Sequence, residues 1–283
     1  DKSGIAEEHV FGTHNSYYEL NEESKTVEKF TNQFQIGFSL LHNASTMPTL
    51  IYKSSNEQIA TISETGLVTV LSPGKVTISV YPQKQIGNDP TKYVYDSYTY
   101  NFVEGLNIYD EDGFKYWKDT YASEANPVSS DCKTIFRKVG VLQSDLNFAS
   151  AGHLTIGSEK TLYGNGHLIN LNNRNGINSD SYMQINSDTT FRNVHIRSYN
   201  FSAGESIVKL DGVPAPVMTG TNQTNINKEY CIFESGQKNF EISNSSVNFK
   251  GCIFANSYNA GVFLRSNGLE HNYNYATFDS CIF

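Results

Sequence analysis

Acidic side chains in the C-terminal half are the groups best suited to act as a catalytic acid and base. Hydrolysis of a glycosidic bond needs two carboxyl groups about 5 to 10 Å apart. The candidates are Asp180, Asp188, Glu205, Asp211, Glu234, Glu241, Glu270 and Asp279. They are scattered along the chain and no two of them are adjacent. The sequence therefore predicts no catalytic carboxylate pair and no catalytic residue.

Histidine, arginine and cysteine add no stronger case for catalysis or metal binding. We expect His167 and His195 to lie on a surface or to pack between strands, and Arg174 to lie in a solvated loop. The acidic run at 110–112 lacks the spacing of an EF-hand loop and is expected to be a solvated turn. The four cysteines (Cys132, Cys231, Cys252 and Cys281) form no CxxC pair, so we expect no zinc site. Three of them begin the tripeptide Cys-Ile-Phe and are expected to be small buried hydrophobes. No metal or cofactor is predicted.

The amino-acid composition indicates the class of fold that carries these acidic, basic and cysteine side chains. The 283 residues predict two domains, and the 18 Tyr and 17 Phe with only 18% charged residues favour strands over helices. The net charge of −8 predicts no binding to nucleic acid. No apolar run is long enough to span a bilayer, so we expect no membrane insertion. Because the sequence begins at Asp1 and stops within a repeated motif, we expect it to be part of a longer polypeptide.

Alternating apolar and polar residues with short turn signals extend over residues 17–81, as in the strands of a sandwich. The sequence SSNEQIATISETGLVTVLSPGKVTISV at 54–80 predicts three strands, with Gly66 free to take a positive φ at the first turn. It resembles the signature of the group 2 bacterial immunoglobulin-like domain, a spacer or binding module of adhesins, cell-wall proteins, secreted glycan-active enzymes and phage virion proteins. The resemblance implies an immunoglobulin-like β-sandwich, which we assign to 17–104 after an N-terminal segment at 1–16. It implies no catalysis.

From residue 128 the predicted strands become short, and a motif Phe-x-small-(Val/Cys)-x-(Ile/Phe) recurs at 191–196, 249–254 and 278–283. The last two copies are 29 residues apart and the first two are 58 apart, twice that spacing. Such a period is typical of a solenoid, in which each coil buries its apolar face against its neighbours. With TLYGNGHLINL at 161–171, residues 135–283 resemble the pectin-lyase-like right-handed parallel β-helix superfamily, found in surface adhesins, phage spikes and polysaccharide lyases alike. We therefore expect an all-β protein with a linker at 105–127 and a right-handed parallel β-helix at 128–283 that continues beyond the last residue.

Exposed tyrosines are the candidate ligand-binding residues, because aromatic rings can stack on sugars. They are Tyr93, Tyr95, Tyr98 and Tyr100 in the first half, with Tyr258, Tyr273 and Tyr275 in the second. The first group has an alternative interpretation, as the edge of a sheet that packs on its own domain.

The expected function is that of a non-catalytic extracellular structural or binding protein. It would be a bacterial surface adhesin or a phage virion fibre or spike that recognises a cell-surface glycan or partner protein. A phage spike would be expected to form a homotrimer. The alternative is a polysaccharide lyase or glycoside hydrolase with an accessory immunoglobulin-like domain, whose catalytic coils would follow Phe283.

Overall fold

A computed structural model gives the fold of the chain. It describes residues 9–14, 20–21, 26–27, 32–36, 49–82, 96–118, 138–148, 153–171, 182–185, 188–197, 216–221, 226–235, 238–243, 245–257, 260–265 and 275–283. Within these residues one segment is helical and the remaining regular structure is β-strand. The expectation of an all-β protein is therefore confirmed.

The N-terminal strands enclose a small apolar core between two sheets, and a further short pair lies apart from both. The strands are β1 (His9–His14), β2 (Leu20–Asn21), β3 (Thr26–Val27), β4 (Asn32–Gln35), β5 (Leu50–Ser54), β6 (Ala60–Ile62), β7 (Leu67–Val70) and β8 (Gly74–Pro82). One sheet has the order β4-β7-β6, while β5 and β8 pair in the other and β2 pairs with β3. Alternate residues of β7 and β8, such as Val68, Val76 and Ile78, are buried between them. The predicted turn before β7 is present, with Gly66 at a φ of 83°.

A single long strand, β9 (Asp96–Ile108), belongs to both halves of the protein. Its first residues, Asp96 to Phe102, pair antiparallel with β8. Its last residues, Leu106 to Ile108, pair in parallel with β10 (Val139–Leu142), the first strand of the C-terminal half. Strand β1 also pairs in parallel with β9. The N-terminal sandwich and the C-terminal half are thus joined by one continuous ten-stranded sheet.

Regular structure occupies 105–118, the start of the segment for which the sequence predicts a linker. After β9 ends, α1 (Glu111–Lys118) begins at an N-cap formed by Asp110, whose side chain accepts a hydrogen bond from the amide of Gly113 at 2.7 Å. The acidic run is therefore the first turn of a helix. Phe114 and Trp117 of α1 are fully buried in the core of the C-terminal half, because they cover the first coil. Residues 119–127 lie outside the described residues.

The C-terminal half is a stack of coils whose strands lie in three parallel sheets. The first coil sheet contains β9, β10, β13 (Thr161–Tyr163), β16 (Thr190–Arg192), β19 (Ile226–Glu229), β22 (Ser246–Lys250) and β25 (Tyr275–Asp279). The second contains β11 (Leu146–Asn147), β14 (Leu168–Asn170), β17 (His195–Arg197), β20 (Ile232–Glu234) and β23 (Ile253–Ala255). The third contains β12 (His153–Ile156), β15 (Tyr182–Ile185), β18 (Pro216–Thr221), β21 (Lys238–Ser243) and β24 (Ala260–Arg265).

The recurring motif marks the corner between the first and second coil sheets. The third residue of the motif takes a left-handed backbone conformation there, with φ between 51° and 61° at Asn193, Gly251 and Ser280 and also at Tyr230, which occupies the same corner in another coil. The next residue, Val or Cys, turns into the core; Val194, Cys231 and Cys252 are buried. The flanking apolar residues point inward from the two sheets, so the motif encodes one strand, one corner and the following strand.

One coil with this motif was not recognised from the sequence, because a lysine replaces its inward aromatic residue. Lys228 lies in register between Phe191 and Phe249 on the first coil sheet, and Cys231 follows at the corner. The 58-residue separation of the first two recognised copies is therefore divided unequally, at residue 228. The coils therefore do not repeat at a uniform spacing of 29 residues, because the loops between strands differ in length from coil to coil.

Candidate functional site

The acidic residues considered for catalysis are only partly described. Asp188, Glu234, Glu241 and Asp279 lie within the described residues, whereas Asp180, Glu205, Asp211 and Glu270 lie outside them. Asp279 is on the first coil sheet and Glu234 on the second, so the two carboxyl groups are on different strands and different faces. Within the described ranges, no group of three or more His, Cys, Asp or Glu side chains is placed to hold a metal ion.

The two exposed candidate tyrosines that the structure describes do not lie on one surface patch. Tyr98 is 42% exposed and Tyr275 is 60% exposed. They lie on β9 and β25, six strands apart in the same sheet, which corresponds to about 29 Å at a strand spacing of about 4.8 Å. Tyr93, Tyr95, Tyr258 and Tyr273 lie outside the described residues.

Tyr100 belongs to an aromatic cluster of the N-terminal sandwich. Its ring centroid lies 5.3 Å from that of Phe34 and 5.9 Å from that of Phe102, and Phe102 is fully buried. Phe11 of β1 stacks on Phe34 at 4.9 Å and so ties the N-terminal strand to this cluster. The ring of Tyr100 thus packs within its own domain, as in the second interpretation of the Tyr-rich run.

A row of alternating charges runs along the outer surface of the first coil sheet. Arg192, Glu229, Lys250 and Asp279 occupy equivalent positions of four successive strands. Each cation therefore has an anion on the neighbouring strand, about 4.8 Å away along the stack. We call these four residues the charge row.

Arg192 and Glu229 form the closest ion pair of the charge row, with 2.9 Å between Arg192 Nε and Glu229 Oε2. Burial disfavours the charged guanidinium, but the hydrogen bond and the charge of Glu229, with a further contribution from Tyr163, outweigh it and raise the pKa of Arg192. Opposite charges on adjacent strands stabilise a sheet by about 0.2–1 kcal/mol per pair. The row thus presents a fixed pattern of donors and acceptors with little net charge.

Beside the charge row, hydrogen-bonded amides and hydroxyls follow the same axis. Asn248 donates to the side-chain oxygen of Asn227 at 3.1 Å, and the Thr277 hydroxyl donates to Asn248 at 2.7 Å. These residues are in register on three successive strands of the first coil sheet. Each side chain therefore fixes the next, and the outer surface repeats at the spacing of the coils.

Across the corner, two histidine–carboxylate pairs lie on the second coil sheet. His195 Nε2 is 2.8 Å from Glu234 Oε2, and His167 Nδ1 is 3.1 Å from Asp145 Oδ1. The amide of Leu168 donates to the same Asp145 oxygen at 2.9 Å, which lowers the pKa of this carboxyl together with the contact to His167. Each pair links two successive coils and leaves polar atoms at the surface.

We call the surface formed by the corner and these flanking groups the corner face. Sequence reasoning missed it and in particular missed Tyr230, which occupies a corner position and is 44% exposed. The signal was present, because Cys231-Ile232-Phe233 repeats the tripeptide that follows the corner in two other coils. Aligning the coils on that tripeptide would have placed Tyr230 beside Asn193, Gly251 and Ser280.

An ionisable group also lies inside the stack of coils. Lys228 is fully buried, its Nζ has no hydrogen-bond partner within the described residues, and it lies 3.7 Å from the centroid of the Phe191 ring. Burial lowers the pKa of Lys228 to about 7. The adjoining thiols of Cys231 and Cys252 are free and buried, and each donates to a backbone carbonyl of the first coil sheet. The lysine is thus an inward packing residue.

Comparison with known proteins finds a similarity only in the N-terminal part of the chain. Residues 19–93 match the family model of the bacterial Ig-like domain (group 2). No curated protein and no solved structure matches the chain. In the described part of the chain, no helix is both long enough and apolar enough to cross a membrane. The match ends before β9 begins, so the N-terminal sandwich, and not the stack of coils, is similar to the bacterial Ig-like domain (group 2).

Proposed function

We propose that the protein is a non-catalytic extracellular binding protein that recognises a cell-surface glycan or partner protein. It would act on a bacterial surface as an adhesin or on a virion as a fibre or spike. The observation that carries the proposal is the corner face, on which charged and polar side chains repeat at equivalent positions of successive coils. A surface that repeats along one axis is suited to a ligand that also repeats along an axis, such as a linear glycan.

The continuous strand β9 supports this proposal because it makes the connection between the two halves rigid. Because one strand belongs to the sandwich and to the first coil sheet, the two halves cannot rotate about a flexible connection without breaking the pairing of β9 with β8 or β10. An Ig-like domain of this kind would then be a rigid spacer that sets the orientation of the coils.

We further propose that the stack is a right-handed parallel β-helix similar to the pectin-lyase-like superfamily. The repeated three-sheet order and the parallel pairing support this fold. Tyr98 on β9 and Tyr275 on β25 stay candidate contact residues, together with Tyr93, Tyr95, Tyr258 and Tyr273.

The test is a glycan array run beside an activity screen on polysaccharides, with the full chain in both. Binding without the release of reducing or unsaturated ends is the expected result. Bond cleavage would refute the proposal and favour a polysaccharide lyase or glycoside hydrolase. Measuring the mass of the protein in solution helps to distinguish a virion spike from a bacterial surface protein, because a virion spike would be a homotrimer.

A further inference from the structure

Tyr230 occupies a backbone position that bulky residues rarely adopt. Its φ is 55°, and the equivalent corners of the neighbouring coils hold Asn193, Gly251 and Ser280. Small or locally hydrogen-bonding residues are favoured in this conformation, because a large side chain is crowded by the following carbonyl. A tyrosine here is strained, and such strain is concentrated at functional sites.

The ring of Tyr230 is held in place by the next coil. A Cβ atom at Gly251 would lie 2.5 Å from Cδ1 and 2.7 Å from Cε1 of the Tyr230 ring, closer than any real contact. The Cδ1–Cε1 edge of the ring therefore lies against the Gly251 backbone, in space that exists only because glycine has no side chain. Even so, 44% of Tyr230 is exposed. The result is an aromatic ring that is held at one edge by the next coil and is partly open to solvent.

Paired polar groups lie on the same corner face as this ring. Glu229 directly precedes Tyr230 in the chain and is paired with Arg192 at 2.9 Å. Glu234, at the end of the strand that follows the corner, lies 2.8 Å from His195 Nε2 and accepts from Asn256 at 3.3 Å. Guanidinium and carboxylate groups in such pairs retain further donor and acceptor positions, which suit hydroxyl groups at the edge of a ligand.

We propose that Tyr230 is the stacking platform for one sugar unit of an uncharged glycan bound along the corner face. This inference rests on the proposed function and assigns its binding site. An aromatic ring with polar groups at its edge fits a pyranose, which presents an apolar C–H face and a rim of hydroxyls. The charge row alternates in sign, so it offers no net attraction to an acidic or a basic ligand. Gly251 sets the position of the ring.

The experiment compares four single variants of the full chain on a glycan array and then by titration with the neutral glycan that binds best. Tyr230→Ala removes the platform, Gly251→Ala displaces the ring, and Tyr230→Phe keeps the ring without its hydroxyl. Tyr109→Ala is the matched control, because Tyr109 is similarly exposed at 49% but lies between β9 and α1. Fluorescence of Trp117, the chain's single tryptophan, reports whether each variant keeps the folded stack.

We expect the dissociation constant to rise at least about tenfold for Tyr230→Ala and Gly251→Ala, as for the loss of an interface aromatic anchor. It should change less than about threefold for Tyr230→Phe and stay at the wild-type value for Tyr109→Ala. If Gly251→Ala loses the folded stack, the contrast between Tyr230→Ala and Tyr230→Phe still tests the platform.

The remaining outcomes separate this inference from the proposed function. Glycan binding that is unchanged in Tyr230→Ala overturns the platform but leaves the proposed function standing. Binding restricted to acidic glycans, or a protein partner lost in Tyr230→Ala in place of a glycan, overturns the assignment of an uncharged sugar. If no glycan binds, the platform is refuted, and the proposed function survives only in its protein-binding form.

Discussion

Replacing Lys228 by methionine should stabilise the protein, and the gain should depend on pH. Lys228 occupies an inward position between Phe191 and Phe249, where the other coils place apolar side chains. Its ammonium group would have to be buried without a hydrogen-bond partner within the described residues. Methionine has a similar length and flexibility, so Lys228→Met removes the charge without opening a large cavity.

The size of the effect follows from the difference between the pKa in the folded and unfolded states. Burial lowers the pKa of Lys228 from 10.5 to about 7. One pKa unit corresponds to about 1.4 kcal/mol, so burying the charged lysine costs about 5 kcal/mol below pH 7. The ring of Phe191 at 3.7 Å recovers up to about 2 kcal/mol of this by cation–π attraction. We therefore expect Lys228→Met to raise the free energy of unfolding by about 3 to 5 kcal/mol at pH 6.

The sign of the pH dependence is fixed by proton binding. Between the folded and unfolded pKa values the unfolded chain binds one more proton at Lys228, so the stability of the wild type rises with pH from about 7 to 10.5. The advantage of Lys228→Met should accordingly fall to about 2 kcal/mol at pH 9. The ionisable groups nearest to Lys228 are the thiols of Cys231 and Cys252, which both proteins retain.

The assay is urea unfolding from pH 6 to pH 10, followed by Trp117 fluorescence, since Trp117 lies in the core of the coils. Lys250→Met is the matched control, because Lys250 is exposed on the outer surface one coil further along. It should change the free energy of unfolding by less than about 1 kcal/mol at every pH. A Lys228→Met variant that is no more stable than the wild type, or whose advantage does not decline above pH 7, would refute the reasoning.

Three further substitutions test how the coils are held together. Gly140→Ala should lower the free energy of unfolding by about 1–3 kcal/mol in urea titrations, because its Cβ would lie 2.8 Å from Trp117 Nε1; wild-type stability would contradict the packing. Asn107→Ala removes two hydrogen bonds to the main chain of Gly12, at 2.7 and 3.0 Å. It should therefore speed amide hydrogen exchange at Gly12. An unchanged exchange rate would argue that these bonds do not attach β1. Glu229→Lys places three cations in succession in the charge row and should lower the melting temperature at low salt more than Glu229→Gln does. In 1 M NaCl the two variants should have similar melting temperatures, because salt screens the repulsion. Equal melting temperatures at low salt would contradict the electrostatic role of the row.

The motif at the corner shows which coils could be predicted from the sequence pattern and which could not. Three copies were recognised because each begins with Phe and ends with Ile or Phe, and in the first two copies these residues are buried in the core. The copy at Lys228 was missed because a charged residue at an inward position contradicts the expected pattern. Only the register of Lys228 with Phe191 and Phe249 identifies it as the same position.

The boundary between the two halves shows a second limit. The turn signals at 105–113 predict a linker, because glycine and acidic residues are typical of loops. In the structure, β9 continues to Ile108 and α1 covers the first coil with Phe114 and Trp117. Burial of these side chains depends on the coils that follow in sequence, which no local pattern can report.

The sequence by itself determined the all-β class, the sandwich similar to the bacterial Ig-like domain and the repeated strand–corner–strand unit. These are local properties, since they follow from side-chain period, from glycine at turns and from recurring tripeptides. The tertiary structure alone decided which residues meet across coils: the charge row, the ring of Tyr230 over Gly251, and Lys228 inside the core. Those contacts join strands separated by loops of unequal length, so their register is set by stacking of the coils and not by spacing along the chain.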